Sequence, residues 1–215
     1  DALPIYFMES VSVTPVCCPA RTSWYTGRVS KETGVAGNLY ALRDELPDLG
    51  QWLTSKTDYE AVYSGKWHVP QRDVRKSFQV LQPEHGYGEI CDSDSTRSAI
   101  AWLLNRTSDK PFFLSVGLLN PHDCCFHGWP QGGPYKFAYS KKIEKLLPPL
   151  PENFDKSVAQ QKGRKTRTWS ELDWRYYLYN YYRLVEMVDA EIGRLYDSIR
   201  NSKYGKDTVI IFSSD

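Results

Sequence analysis

Cys17 and Arg21 stand in the run Cys17-Cys18-Pro19-Ala20-Arg21-Thr22-Ser23-Trp24-Tyr25-Thr26-Gly27-Arg28, and their spacing suggests reactive chemistry at an anion site. Pro19 suits the first turn of a helix and Gly27 its end. That places Cys17 just ahead of a helix N-terminus, where the dipole and free N–H groups favour an anion or a thiolate. Arg21 adds a rigid cationic fork that matches tetrahedral oxyanions. Residue types alone thus give a reactive group beside an anion site, without saying what that group becomes.

Three further runs lead from apolar residues into polar ones. Ala61-Val62-Tyr63 is followed by Ser64-Gly65-Lys66-Trp67-His68, and Phe112 to Val116 is followed by Asn120-Pro121-His122-Asp123. Val209-Ile210-Ile211-Phe212 is followed by Ser213-Ser214-Asp215. Cations beside carboxylates suit an anionic substrate and a hard metal ion. His85 and His127 lie outside these runs and read as structural.

The elements that must position these groups follow from periodicity. Ala61–Tyr63, Phe112–Val116 and Val209–Phe212 read as strands, the last as one buried on both faces. Asp94 to Arg106 reads as a helix with Ile100, Leu103 and Leu104 on its apolar face. A long helix is expected from Glu171 to Arg200. Its stripe of Trp174, Leu178, Tyr181, Val185, Val188, Ile192, Leu195 and Ile199 predicts packing on a sheet. Alternating strands and helices predict an α/β sandwich with a mainly parallel central sheet flanked by helices. In such folds ligands gather beyond the carboxyl ends of strands, where all three polar runs would emerge.

Composition narrows the partners. The 215 residues carry 27 Lys+Arg against 26 Asp+Glu, which argues against a broad basic surface for nucleic acid or membrane. No run reaches the roughly 18 apolar residues of a membrane span, and Asp1-Ala2-Leu3-Pro4 does not read as a signal peptide. Five cysteines, two adjacent pairs among them, are too few and too awkwardly placed for a disulfide scaffold.

The Cys17–Arg28 run resembles the signature of the type I sulfatases, C-x-P-S/A-R followed by T-G-R, with Tyr25 where leucine is usual. Gly65-Lys66-Trp67-His68, Asn120-Pro121-His122-Asp123 and Thr208 to Asp215 resemble further elements of that family, in family order. The resemblance implies the alkaline-phosphatase-like fold and a sulfuric ester hydrolase acting on a sulfated small molecule or glycan. It implies that a formylglycine-generating or anaerobic maturase converts Cys17 to Cα-formylglycine (3-oxoalanine), whose hydrate is the nucleophile. Arg21 would steady the hydrate, Lys66 bind sulfate oxygens, His68 handle hydroxyl protons, and His122 contact sulfate or protonate the leaving oxygen. Asp215, with the oxygen that replaces the Cys17 sulfur, would ligate calcium. The family's habit points to periplasm, secretion or lysosome.

Two departures shape the expectation. The family's paired aspartates ahead of the signature are missing, and so is the His or Asn that follows the position of Asp215. Residues 1–215 are therefore expected to form a partial sulfatase catalytic domain, inactive alone. A phosphonate or phosphate ester hydrolase of the same superfamily is the alternative within the fold. A non-catalytic zinc module built on His122, Cys124, Cys125 and His127 is the alternative outside it, although adjacent cysteines lack the usual zinc spacing.

Overall fold

The computed structural model describes residues 5–126, 141–155, 157 and 169–215. Helix α1 (Cys17–Thr26) and the short α2 (Ser30–Thr33) come first, then α3 (Leu49–Lys56) and strand β1 (Glu60–Gly65). Strand β2 (Gln79–Pro83), helix α4 (Gly88–Asn105), strand β3 (Phe112–Gly117) and the long helix α5 (Glu171–Arg200) follow. The strands form a three-stranded sheet in the order β2-β1-β3, parallel throughout. The expected α/β fold with a parallel sheet and flanking helices is present.

Helix boundaries follow local chemistry. Gly27 ends α1 in the left-handed region, its N–H donating to the Ser23 carbonyl. Asp48 and Gln51 cap α3 reciprocally, as Ser170 and Asp173 cap α5. Helix α4 begins at Gly88, six residues before the sequence expectation, because its cap is remote: the Gly88 N–H donates to Asp123 Oδ2 at 2.7 Å.

The core lies between β1 and the α1 and α3 side. Tyr25, Tyr63, Trp67 and Phe78 interlock edge-on or tilted, with centroids 4.6–6.0 Å apart. Tyr25 is thus a packing residue whose hydroxyl shares a 2.8 Å hydrogen bond with Ser115 Oγ of β3.

Three expectations need correction. Val209 to Phe212 is not a buried strand: it pairs with no described strand, and Val209 and Ile211 are 86% and 85% exposed. An apolar run becomes a strand only where a ladder partner accepts its backbone groups. Of the apolar face expected for α4, Leu103 is buried, but Ile100 is only partly so and Leu104 is exposed; the rest of the buried face is Cys91, Asp92, Ser95, Thr96 and Ala99, whose small side chains let the helix lie close to the sheet. Helix α5 packs on α4 and on the 3₁₀ turn His122–Phe126 rather than on the sheet, burying Leu184 and Ile199 while Tyr181 and Val185 stay over a third exposed.

Candidate active site

The polar residues gather at the carboxyl ends of β1 and β3, which close to an unusually short approach. Gly65 and Gly117 are register partners, and Gly65 has φ +93°. A Cβ on Gly65 would lie 2.1 Å from the Gly117 carbonyl oxygen, and one on Gly117 would lie 2.2 Å from that of Lys66. Only two glycines let the chain turn here and deliver Lys66 to the sheet's end.

Cys17 is the first residue of α1 rather than just ahead of it, and it is partly buried. Val16 caps the helix without a side-chain acceptor; the Ala20 N–H donates to the Val16 carbonyl and Pro19 has no N–H, which leaves the N–H of Cys17 itself as the first-turn donor without a bond among the described residues. Cys18, beside it, is buried, with its N–H on Asn38 Oδ1 at 3.1 Å. Burial, and then Cys17, push the Cys18 thiol up, away from reactivity. Arg21 lies one turn on, on the face of Cys17.

Arg21 and Lys66 are buried cations that share one carboxylate. Arg21 Nε donates to Asp215 Oδ2 at 2.7 Å and Nη1 to the Lys66 carbonyl at 2.8 Å. The Lys66 ammonium, 3% exposed, stands 3.9 Å from the same Oδ2, beyond hydrogen-bond reach. Burial works against the Asp215 charge, but Arg21 and then Lys66 hold its carboxyl below the ordinary range. Trp24 lies under the Arg21 guanidinium at 5.7 Å.

His68 sits just past β1 with φ +53° and is exposed. Burial of part of its ring, followed by Lys66, lowers its pKa, with Arg21 and His122 acting in the same direction and Glu84 opposing. Those couplings bring His68 within electrostatic reach of Lys66, Arg21 and His122. His122 begins the 3₁₀ turn after β3, its side chain 34% exposed. The structure brings Arg21, Lys66 and Asp215 together, with Cys17 on the Arg21 face and His68 in electrostatic reach.

His127 lies outside the described residues. His85 pairs with Asp94 at 3.1 Å on the surface. Sequence reading missed Asn38 and Asp92, and it named Asp123 in the run after β3 without its tie to Gly88; these contacts span 20 to 35 residues of chain. No local pattern marks such contacts.

Calcium takes six to eight oxygen ligands. Asp215 is the carboxylate at this site and already answers two cations, and among the described residues no group of three His, Cys, Asp or Glu converges. The described residues do not by themselves fit calcium, and they do not form a zinc cluster.

The family described as Sulfatase matches residues 4–215. The ulvan-active sulfatase of Formosa agariphila is 26% identical, over 98% of this chain and 43% of its own. A solved 2-O GAG sulfatase superposes with TM-score 0.65 at 22% identity, over 89% of this chain and 45% of its own. A phosphonate monoester hydrolase of Agrobacterium radiobacter gives TM-score 0.60 at 19% identity, over 91% and 52%. The chain spans less than half the length of the curated relative, and the structural likenesses speak for the fold.

Proposed function

The chain belongs to the sulfatase family, and on that premise we propose that it is a portion of a catalytic domain that hydrolyses sulfate esters at the Cys17–Arg21–Lys66 centre. One observation carries the reading: two buried cations share a single carboxylate beside the N-terminus of α1. The local surplus of positive charge suits a monoanionic sulfate ester, and low exposure strengthens it.

Position 17 fits an oxygen nucleophile, since it is the first residue of α1, at the positive end of the helix, with Arg21 on the same face. Formylglycine hydrate at that position supplies two hydroxyls, one to attack sulfur and the other to release sulfate. The remaining roles fall to this chain's own side chains. Arg21 Nη2, which carries no hydrogen bond among the described residues, and Lys66 Nζ receive the sulfate oxygens. His68, held below the usual imidazole value by burial and then Lys66, is neutral near pH 7 and accepts a hydroxyl proton. His122 donates a proton to the departing ester oxygen.

Substrate class follows the named relatives, one ulvan-active and one a 2-O GAG sulfatase, toward a sulfated carbohydrate. The maturase partner and the periplasmic, secreted or lysosomal setting belong to this proposal. A phosphonate or phosphate ester hydrolase is the second reading, favoured by the phosphonate monoester hydrolase neighbour. The test is expression of the longer catalytic domain of which this chain is proposed to be a portion, with a formylglycine-generating enzyme, mass spectrometry of the Cys17 peptide, and turnover of an aryl sulfate against an aryl phosphonate. We expect thiol-to-aldehyde conversion and preference for the sulfate. An unconverted Cys17 with no turnover sinks the reading, and preference for the phosphonate selects the second.

A further inference from the structure

The turn that carries His122 is fastened to helix α4 with unusual completeness. Asp92, 2% exposed, accepts the N–H of Leu119 at 2.5 Å and of Asn120 at 2.9 Å. Asp123, 5% exposed, reaches back to the Gly88 N–H with Oδ2. The amide of Asn120 packs over that same glycine, where an added Cβ would lie 2.6 Å from its Cγ. The ring of Phe126 backs the imidazole of His122 edge-on at 5.8 Å.

Four side-chain atoms in this frame lack partners among the described residues: both polar atoms of the Asn120 amide, and one each on Asp123 and His122. Asp123 Oδ1 and His122 Nδ1 are both buried and both unbonded among the described residues. They face each other at 3.7 Å. Closing that gap to an ordinary N–H···O distance needs a movement of about 0.8 Å. Buried polar atoms are nearly always paired, and each of these two is the complement that the other lacks. The His122 side chain is 34% exposed although Nδ1 is buried, so its exposure lies on the rest of the ring.

We propose that Asp123 is a positioning residue that takes the Nδ1–H of His122 and thereby presents Nε2 of the imidazole to the substrate. This rests on the reading of His122 as proton donor given above. As the bond between sulfur and the ester oxygen breaks, its electron pair stays on the oxygen and takes the proton from Nε2. His122 is left neutral with its proton on Nδ1, and Asp123 remains a carboxylate that has stabilised the imidazolium throughout. Helix α4 contributes by fixing the other carboxylate oxygen, so Asp123 cannot turn away.

The deciding experiment is nitrogen NMR of the protein labelled at histidine, with the His122 signals assigned by substitution. Wild-type protein is expected to show the neutral ring protonated at Nδ1. In Asp123→Asn the carbonyl keeps the anchor to Gly88, so the amide NH₂ faces Nδ1 and the ring switches to the Nε2–H tautomer. Asp123→Glu retains the Nδ1–H tautomer. A wild-type ring protonated at Nε2, or a tautomer unmoved by Asp123→Asn, overturns the proposal. In the active protein the same substitution lowers kcat about 10²–10⁴-fold for an alkyl sulfate, much less for a 4-nitrophenyl sulfate, with KM little changed. Equal losses on both esters also overturn it. Absence of any sulfate turnover in the wild-type longer domain would sink the proposed function and leave the tautomer measurement to decide the Asp123 pairing.

Discussion

Two buried arginines, Arg21 and Arg72, answer their charge in opposite ways. Arg72 donates Nη1 to Asp48 Oδ2 and to Gln51 Oε1, both at 3.1 Å, and Nη2 to the carbonyls of Arg43, Asp44 and Leu46. Its carboxylate partner is equally saturated, since Asp48 also accepts the Ser77 hydroxyl at 2.6 Å and the Gln51 N–H at 3.0 Å. One cation meets one anion, and the surrounding donors and acceptors are used up. Around Arg21, two cations meet one carboxylate and the second does so only at 3.9 Å. The saturated pair is an architectural joint binding α3 to the loop beyond β1. The unsaturated one keeps a cost in stability that an incoming anion relieves.

The sharpest way to break this comparison is to remove Arg72. Arg72→Ala leaves Asp48 as an uncompensated buried carboxylate and strips five hydrogen bonds, so a loss of about 3–5 kcal/mol is expected in chemical denaturation. A loss below about 1 kcal/mol, on the scale of an exposed pair, would show that the joint is ornamental. Lys66→Ala is the counterpart. It removes the surplus cation and should leave the unfolding midpoint unchanged or raised, while sulfate-ester turnover falls about 10²–10³-fold. If Lys66→Ala destabilises as strongly as Arg72→Ala, the contrast between the two sites collapses.

Asp215 supplies a finer test, because its carboxylate occupies the place between the cations that an anion would contest. Asp215→Asn changes the local charge from one net positive to two, and inorganic sulfate should bind the chain about tenfold more tightly, near 1.4 kcal/mol. Calorimetric titration at fixed ionic strength measures it. Unchanged or weaker binding would mean that Arg21 and Lys66 do not act together on an anion.

The same contrast explains what could be read from the sequence. Helix α5 was legible over Glu171–Arg200 because its three- and four-residue stripe is local, and α1 because Pro19 and Gly27 punctuate it. The Arg21–Lys66 pairing was accessible only through motif resemblance, since 45 residues separate the two. The start of α4 was hidden because its cap, Asp123, comes from 35 residues further on. Val209 to Phe212 misled because an apolar run specifies burial without naming the surface that will cover it. Helix α3 went unread although Asp-x-x-Gln is a local capping-box pattern, and nothing local tells that Arg72 will fill the other oxygen of Asp48.

The smallest effect separates the cations through their neighbour. His68 is lowered by burial and then by Lys66, while Glu84 pulls the other way. A lowered imidazole is neutral at pH 7 and charges only as pH falls through a value under the ordinary 6.5 or so. The base form of His68, and any turnover that needs it, is therefore retained above that value and lost on the acid side. Lys66→Met removes a repelling charge and should move the His68 titration upward. Glu84→Gln removes the attracting one and should move it downward, each by less than about one unit for partly exposed groups. Proton NMR titration of the His68 ring reads both directions in the folded protein without any substrate. Opposite signs from two single-charge removals are hard to obtain from general loosening of the fold, which would draw both variants toward the ordinary imidazole value. Shifts of the same sign would show that burial alone governs His68 and that the cationic centre does not extend to it.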